Sequence, residues 1–183
     1  MLDWLKRLFS GTPRPAPESS PFPHGTGPAR LVILRHAEKT GEKSDPHLSK
    51  AGARRAQRLA TWIPETFGRP DFLVAAKTSK RSRRPVETIE PLARALGGLA
   101  IADDLDDEQV ADLVERLRDV PAWLGKVGVV SWRHSDIPRL VTALGAPPAL
   151  LGDEWDEADY TTVVDVVFTG TGAPEARRVT MPF

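Results

Sequence analysis

The chain has only four histidines, and two of them stand in matching surroundings. In "RLVILRHAEKT" the apolar run Leu31-Val32-Ile33-Leu34 stops at Arg35 and His36. In "VGVVSWRH" the run over 127–131 is followed by Trp132, Arg133 and His134. An imidazole can serve as a nucleophile or as a metal ligand, and the neighbouring arginines bear on which. A planar guanidinium matches two oxygens of a phosphate at once, whereas it repels a metal cation. A third basic group lies in "TSKRSRRPVETIEPLA", residues 78–93, where Lys80, Arg81, Arg83 and Arg84 fall within five positions, just ahead of a helix start. A helix N-terminus adds its own positive end. Alone, this segment is equally compatible with a solvated basic turn. The acidic residues lack ligand-like spacing, so metal binding by His36 and His134 is the weaker chemistry.

Bringing these residues together requires strands that end at one edge. "LVIL", "FLVAA" (72–76), "LAIA" (99–102) and "VGVVS" (127–131) are short continuous apolar runs, as in strands buried on both faces. Helical patterns fall between them. Ala53, Ala56, Leu59, Ala60 and Ile63 recur at helical spacing over 49–63, with Ser49 as N-cap and Pro64 as the stop. Residues 85–96 open on a proline at the first helical position. Over 108–118, Val110, Leu113, Val114 and Leu117 share one face, and a last helix runs from Ile137-Pro138 to Gly145. "TTVVDVVF" and "RRVTM" flank the turn "TGTGAP" and read as a hairpin. The expected fold is a three-layer α/β/α sandwich: a mostly parallel sheet, helices on both faces, and a C-terminal antiparallel hairpin. Ligands bind beyond the carboxyl ends of such strands, which is where Arg35-His36, the basic loop and His134 all fall.

The 183 residues suit one domain with a full core and a tail. Twenty-five basic residues balance twenty-five acidic ones, so no global field points to nucleic acid or to an anionic membrane. The absence of cysteine removes disulfides, thiolate metal sites and cysteine nucleophiles. No apolar run approaches the roughly 20 residues of a membrane span. "MLDWLKRLF" is too short and too interrupted by charge for a secretory signal, and a cytoplasmic location is the expectation. Residues 10–28 contain six prolines and read as an extended or disordered linker. Ahead of it, Leu2, Trp4, Leu5, Leu8 and Phe9 form one apolar face beside Asp3, Lys6 and Arg7. This is either a small helix that docks on a partner or membrane surface, or a frayed terminus packed on its own domain. So short a helix is marginal alone, which favours the second. The division expected is an arm over 1–29 and a catalytic domain over 30–183.

Four segments, in order, resemble the histidine phosphatase superfamily, also called phosphoglycerate-mutase-like. "LRHAE" matches that family's Arg-His-Gly motif after the first strand, with Ala37 in place of glycine. "HLSKAGARRAQRLA" is similar to its Leu-Thr-x-x-Gly helix opening, through Leu48, Ser49 and Gly52. Arg84-Pro85-Val86-Glu87-Thr88 is similar to its Arg-x-x-x-Thr, and His134 follows an apolar strand as the family's second histidine does. The ending "WDEADYTTVVDVVF" looks like the closing strand of small members. The resemblance spans roughly 30–182. It implies a phosphatase that hydrolyses a phosphate monoester through a covalent phosphohistidine, with His36 as nucleophile and Arg35, Arg84 and His134 around the phosphoryl group. It also implies that neither metal nor other cofactor is needed. The substrate class would be a phosphorylated small molecule or a phosphoprotein.

The same resemblance leaves the proton donor for the leaving group among several acids. Asp104, Asp106, Asp107 and Glu108 follow the third strand; Asp107 fits by its spacing from Leu105, and Glu108 by residue type. Asp136, two positions beyond His134, is the option of another branch. Most of these acids also read as ordinary charges at a helix start. Trp132 reads as packing, Arg133 as a further pocket cation or the partner of a nearby acid, His47 as a surface residue, and His24 as a linker residue without a role. Two alternatives stand beside hydrolysis. One is a phosphomutase, for which the short connection between the third and fourth strands leaves little room for a lid. The other is a non-catalytic member that binds a phosphorylated ligand.

Overall fold

Along β1, Arg30–Arg35, side chains alternate between two separate cores, and this one strand defines the layers. Leu31 and Ile33 join Val74, Leu113, Leu117, Val130, Trp132 and Leu140 on one face. Val32 and Leu34 join Leu59, Ile63, Leu73, Ile89, Leu92 and Val129 on the other. Strands buried on both faces need apolar residues at consecutive positions, which is why these runs do not alternate with polar ones.

The computed structural model describes residues 20–183 apart from positions 24, 43 and 171. The amphipathic segment over 1–9, most of the proline-rich linker and His24 lie outside the described residues. The elements after β1 are α1 (Lys50–Phe67), β2 (Phe72–Ala75), α2 (Arg84–Ala95), β3 (Ile101–Ala102), α3 (Val110–Asp119), β4 (Val127–Trp132), α4 (Ile137–Ala143), β5 (Thr162–Val167) and β6 (Glu175–Thr180). They form a six-stranded sheet in the order β3-β2-β4-β1-β5-β6. β1, β2, β3 and β4 run parallel, while β5 pairs antiparallel with both β1 and β6. Helices α1 and α2 cover one face, and α3 and α4 the other. The expected three-layer sandwich with its closing hairpin is the fold observed. Among the described residues, no helix is long and apolar enough to cross a membrane.

Two local expectations are corrected. Pro64 does not end α1, which continues to Phe67. A proline near the end of a helix removes one donor. Burial of Ile63 and Phe67 on the sheet holds the last turn, and the Gly68 N–H closes it on the Pro64 carbonyl at 3.2 Å. The strand expected over 99–102 is confined to Ile101–Ala102. Within the segment read as linker, Phe22 is buried and its ring meets Phe168 at 4.8 Å, so the described end of the arm packs on the sheet layer.

Gly52 has a definite steric reason. A Cβ there would lie 2.4 Å from the Glu38 carbonyl oxygen. The missing side chain lets the first turn of α1 lie against the chain leaving β1. There Ser49 N–H donates to the Glu38 carbonyl at 2.8 Å, and Gly52 N–H donates to the N-cap Ser49 Oγ at 3.1 Å. Arg55 clamps the Glu38 carboxylate and also donates from Nη1 to the Phe183 carbonyl at 2.6 Å. Glu38 is thus tied into the scaffold behind the site.

Candidate active site

The register of the parallel strands decides what meets at the sheet edge. Arg35 of β1 lies opposite Trp132 of β4, and Ser131 lies opposite Ala75 of β2. His36, His134 and the loop after β2 therefore leave the sheet side by side. They line one cleft of about 410 Å³, together with Arg35, Arg84, Lys39, Lys77, Arg81 and Arg133. Six cationic side chains against four carboxylates (Asp106, Asp107, Glu108 and Glu157) leave the lining with a net charge of +2, both histidines taken as neutral. That charge balances the dianion of a phosphate monoester.

His36 is buried, and its Nδ1 lies 2.8 Å from the Ala37 carbonyl. A carbonyl can only accept, so Nδ1 carries the hydrogen and Nε2 keeps its lone pair. Burial depresses the imidazole pKa from 6.5 to about 4, and the charges of Arg35, Arg84 and His134 act in the same direction; the Ala37 contact opposes them. At neutral pH the ring is uncharged and nucleophilic. It follows that kcat/KM should stay level on the acid side through pH 6.5 and fall only near pH 4, because protonation removes the lone pair. A pH profile, with the substrate's own phosphate ionisation near ~6 divided out, checks this. An acid limb centred at the ordinary histidine value would contradict it.

Arg35 is held from behind. Its Nη1 donates to the carbonyls of Glu157 (2.5 Å) and Asp159 (3.3 Å), and its Nη2 donates to the Tyr160 hydroxyl at 3.1 Å. The guanidinium also lies 3.9 Å above the Tyr160 ring, a cation–π contact. Among the described residues its buried Nε has no partner. Trp155 Nε1 donates to the Asp159 carbonyl at 3.0 Å, and the Asp159 carboxylate accepts from the N–H groups of Thr161 and Thr162. The turn before β5 is thereby set as a rigid back wall for Arg35.

Arg84 opens α2. Its Nη1 donates to the Asp45 carbonyl at 2.9 Å and its Nη2 to the Arg81 carbonyl at 3.4 Å, while its buried Nε has no partner among the described residues. Thr88, fully buried one turn later, joins the two halves of the site. Its hydroxyl donates to the Arg84 carbonyl at 2.7 Å and accepts from the Ala37 N–H at 2.9 Å. The Arg-x-x-x-Thr spacing is thus the i,i+4 relation that lets one hydroxyl couple the helix start to the strand end.

His134 places Nε2 3.3 Å from the Glu157 carboxylate, with Nδ1 buried and, among the described residues, unpartnered. Burial lowers its pKa first and Arg35 assists, whereas Glu157 pulls the other way. The acids expected after β3 divide. Asp106, Asp107 and Glu108 line the cleft, with Asp107 paired to Arg133 at 3.2 Å and Asp106 near Lys77 at 3.8 Å. Asp104 does not line it and is clamped by Arg116. Asp136 is buried against Ser135 and Arg139, also outside the lining. Trp132 packs with no exposed surface and donates Nε1 to the Asp107 carbonyl at 2.8 Å, so it positions the acidic wall. His47 is exposed and bonded to Glu87, beside the cleft lining and not part of it. Sequence reasoning assigned no role to Glu157, Tyr160 or Lys39. The only signal for the first two was their place in "WDEADY", just ahead of the closing strand.

The fold is that of the histidine phosphatase superfamily. The protein histidine phosphatase SixA, solved with tungstate, superposes with a TM-score of 0.53 at 15% identity, covering 82% of this chain and 96% of its own. A mycobacterial glucosyl-3-phosphoglycerate phosphatase, solved with inorganic phosphate, gives 0.56 at 19% identity, over 85% and 97% of the two chains. The phosphoglycerate mutase of Plasmodium falciparum gives 0.54 at 11% identity, over 83% and 89%. No family model and no curated protein matches the sequence.

Proposed function

We propose that the protein is a phosphatase that hydrolyses a phosphate monoester through a phosphohistidine at His36. The observation that carries this reading is a neutral imidazole with Nδ1 pinned to the Ala37 carbonyl and Nε2 free, set in a cleft with two excess positive charges. The Nε2 lone pair forms the bond to phosphorus as the ester P–O bond breaks. The leaving oxygen takes a proton from an acid of the cleft, and Asp107 and Glu108 are the candidates by position. Water then attacks phosphorus and gives a proton to the carboxylate that lost one, the P–N bond breaks with its electrons returning to Nε2, and inorganic phosphate leaves. Through both steps Nδ1–H stays on the Ala37 carbonyl and fixes the ring, which keeps Nε2 aimed at phosphorus. Arg35, Arg84 and His134 offset the charge on the equatorial oxygens. The neighbours' chemistry, a protein histidine phosphatase and a sugar-phosphoglycerate phosphatase, supports a phosphorylated metabolite or phosphoprotein as substrate. Rapid-quench mixing with a labelled aryl phosphate should trap an acid-labile, base-stable phosphoenzyme. A protein that hydrolyses the ester without such a species, or binds it without turnover, would overturn the reading.

A further inference from the structure

Glu157 makes two contacts of different kinds. Its backbone carbonyl accepts from Arg35 Nη1, and its carboxylate Oε1 lies 3.3 Å from His134 Nε2. The first contact belongs to the back wall and survives any change of side chain. The second places a carboxylate in the cleft, on the nitrogen that a phosphoryl oxygen needs.

Among the described residues His134 Nδ1 is buried without a partner, so Nε2 is the ring atom left to meet a ligand, and it faces the Glu157 carboxylate at 3.3 Å. While that contact stands, the carboxylate occupies the place an incoming oxygen needs beside Nε2, and its charge repels the incoming dianion. Leaving is easy for Glu157. Its side chain is 74% exposed, so on release the carboxylate returns to water and leaves no buried group unpaired.

The geometry points to Glu157 as a resident anion of the phosphate pocket, which every phosphate group must displace from His134. Binding is then an exchange of one anion for another, and its cost falls on product phosphate as well as on substrate. The pocket is kept from being held by the phosphate it releases. This rests on the reading of the cleft as a phosphate site.

Inorganic phosphate titrated calorimetrically into the full chain tests it, with wild type, Glu157→Gln and Arg84→Ala compared at pH 7. Glutamine keeps the size and the backbone carbonyl but removes the charge. The expected result is phosphate binding about twofold to fivefold tighter in Glu157→Gln, in line with the loss of one exposed ionic competitor. Damage to the scaffold would weaken binding, so a gain separates this role from a structural one. Binding that Arg84→Ala weakens but Glu157→Gln leaves equal or weaker overturns the resident anion alone. Phosphate binding that is absent, or indifferent to Arg84, overturns the site reading as well.

Discussion

Replacing His36 by alanine should lower kcat/KM for an aryl phosphate by at least about 10⁴-fold, the scale on which removing a covalent nucleophile acts. The fold should survive. Among the described residues the imidazole hydrogen-bonds only to the adjacent Ala37 carbonyl, and β1 is held by its ladders to β4 and β5 independently of the ring. The His36 backbone N–H bond to the Trp132 carbonyl at 3.2 Å is also untouched. Hydrolysis measured beside thermal unfolding separates the two effects. A stable variant that retained a tenth of wild-type activity would mean that phosphorus is attacked by something else. Direct attack of water on the ester would then replace the covalent route.

What the sequence makes legible is set by whether function is written in side-chain types or in backbone groups. Strand ends were readable because burial on both faces demands continuous apolar runs, and Arg35, His36, Arg84 and His134 interrupt or follow those runs with types that suit an oxyanion. The role of Thr88 was readable only as spacing; its two hydrogen bonds show why that spacing matters. The support of Arg35 could not be read, because its acceptors are the carbonyls of Glu157 and Asp159, which every residue possesses. Glu157 was hidden for a related reason. It is one of five acids between Asp153 and Asp159, and only the fold selects the one that faces His134. Pro64 failed as a stop signal because a proline's local cost is opposed by tertiary burial of Phe67, which no local rule contains. The candidate acids were legible as a cluster and not as individuals. Which of them pair with Arg116, Arg133 or Lys77 depends on elements distant in sequence.

Arg84→Ala should cost about 10²–10³-fold in kcat, the range for removing one preorganised group from a charged transition state. Several features make Arg84 the sharper probe of electrostatics than Arg35. Arg35 is buried and wired to Glu157, Asp159 and Tyr160, so its loss would loosen the turn before β5 along with the charge. Arg84 forms no ion pair among the described residues; its bonds run to the carbonyls of Asp45 and Arg81, and its charge is uncommitted. Losing those two bonds should lower stability by only about 1–2 kcal/mol, since the carbonyls lie near water and can rehydrate. The Thr88 hydroxyl bonds to the Arg84 backbone carbonyl, so the tie between α2 and the Ala37 N–H persists in the variant. Arg84→Lys discriminates between charge and shape. A lysine keeps the cation but cannot bridge two carbonyls while presenting a planar fork, so its activity should fall between wild type and alanine. If alanine and lysine were equally impaired, the fork geometry would be the working feature. If Arg84→Ala stayed within tenfold of wild type while folded, the phosphoryl group would have to be neutralised elsewhere in the cleft, and Arg81 and Lys39 would be the cations left to do it.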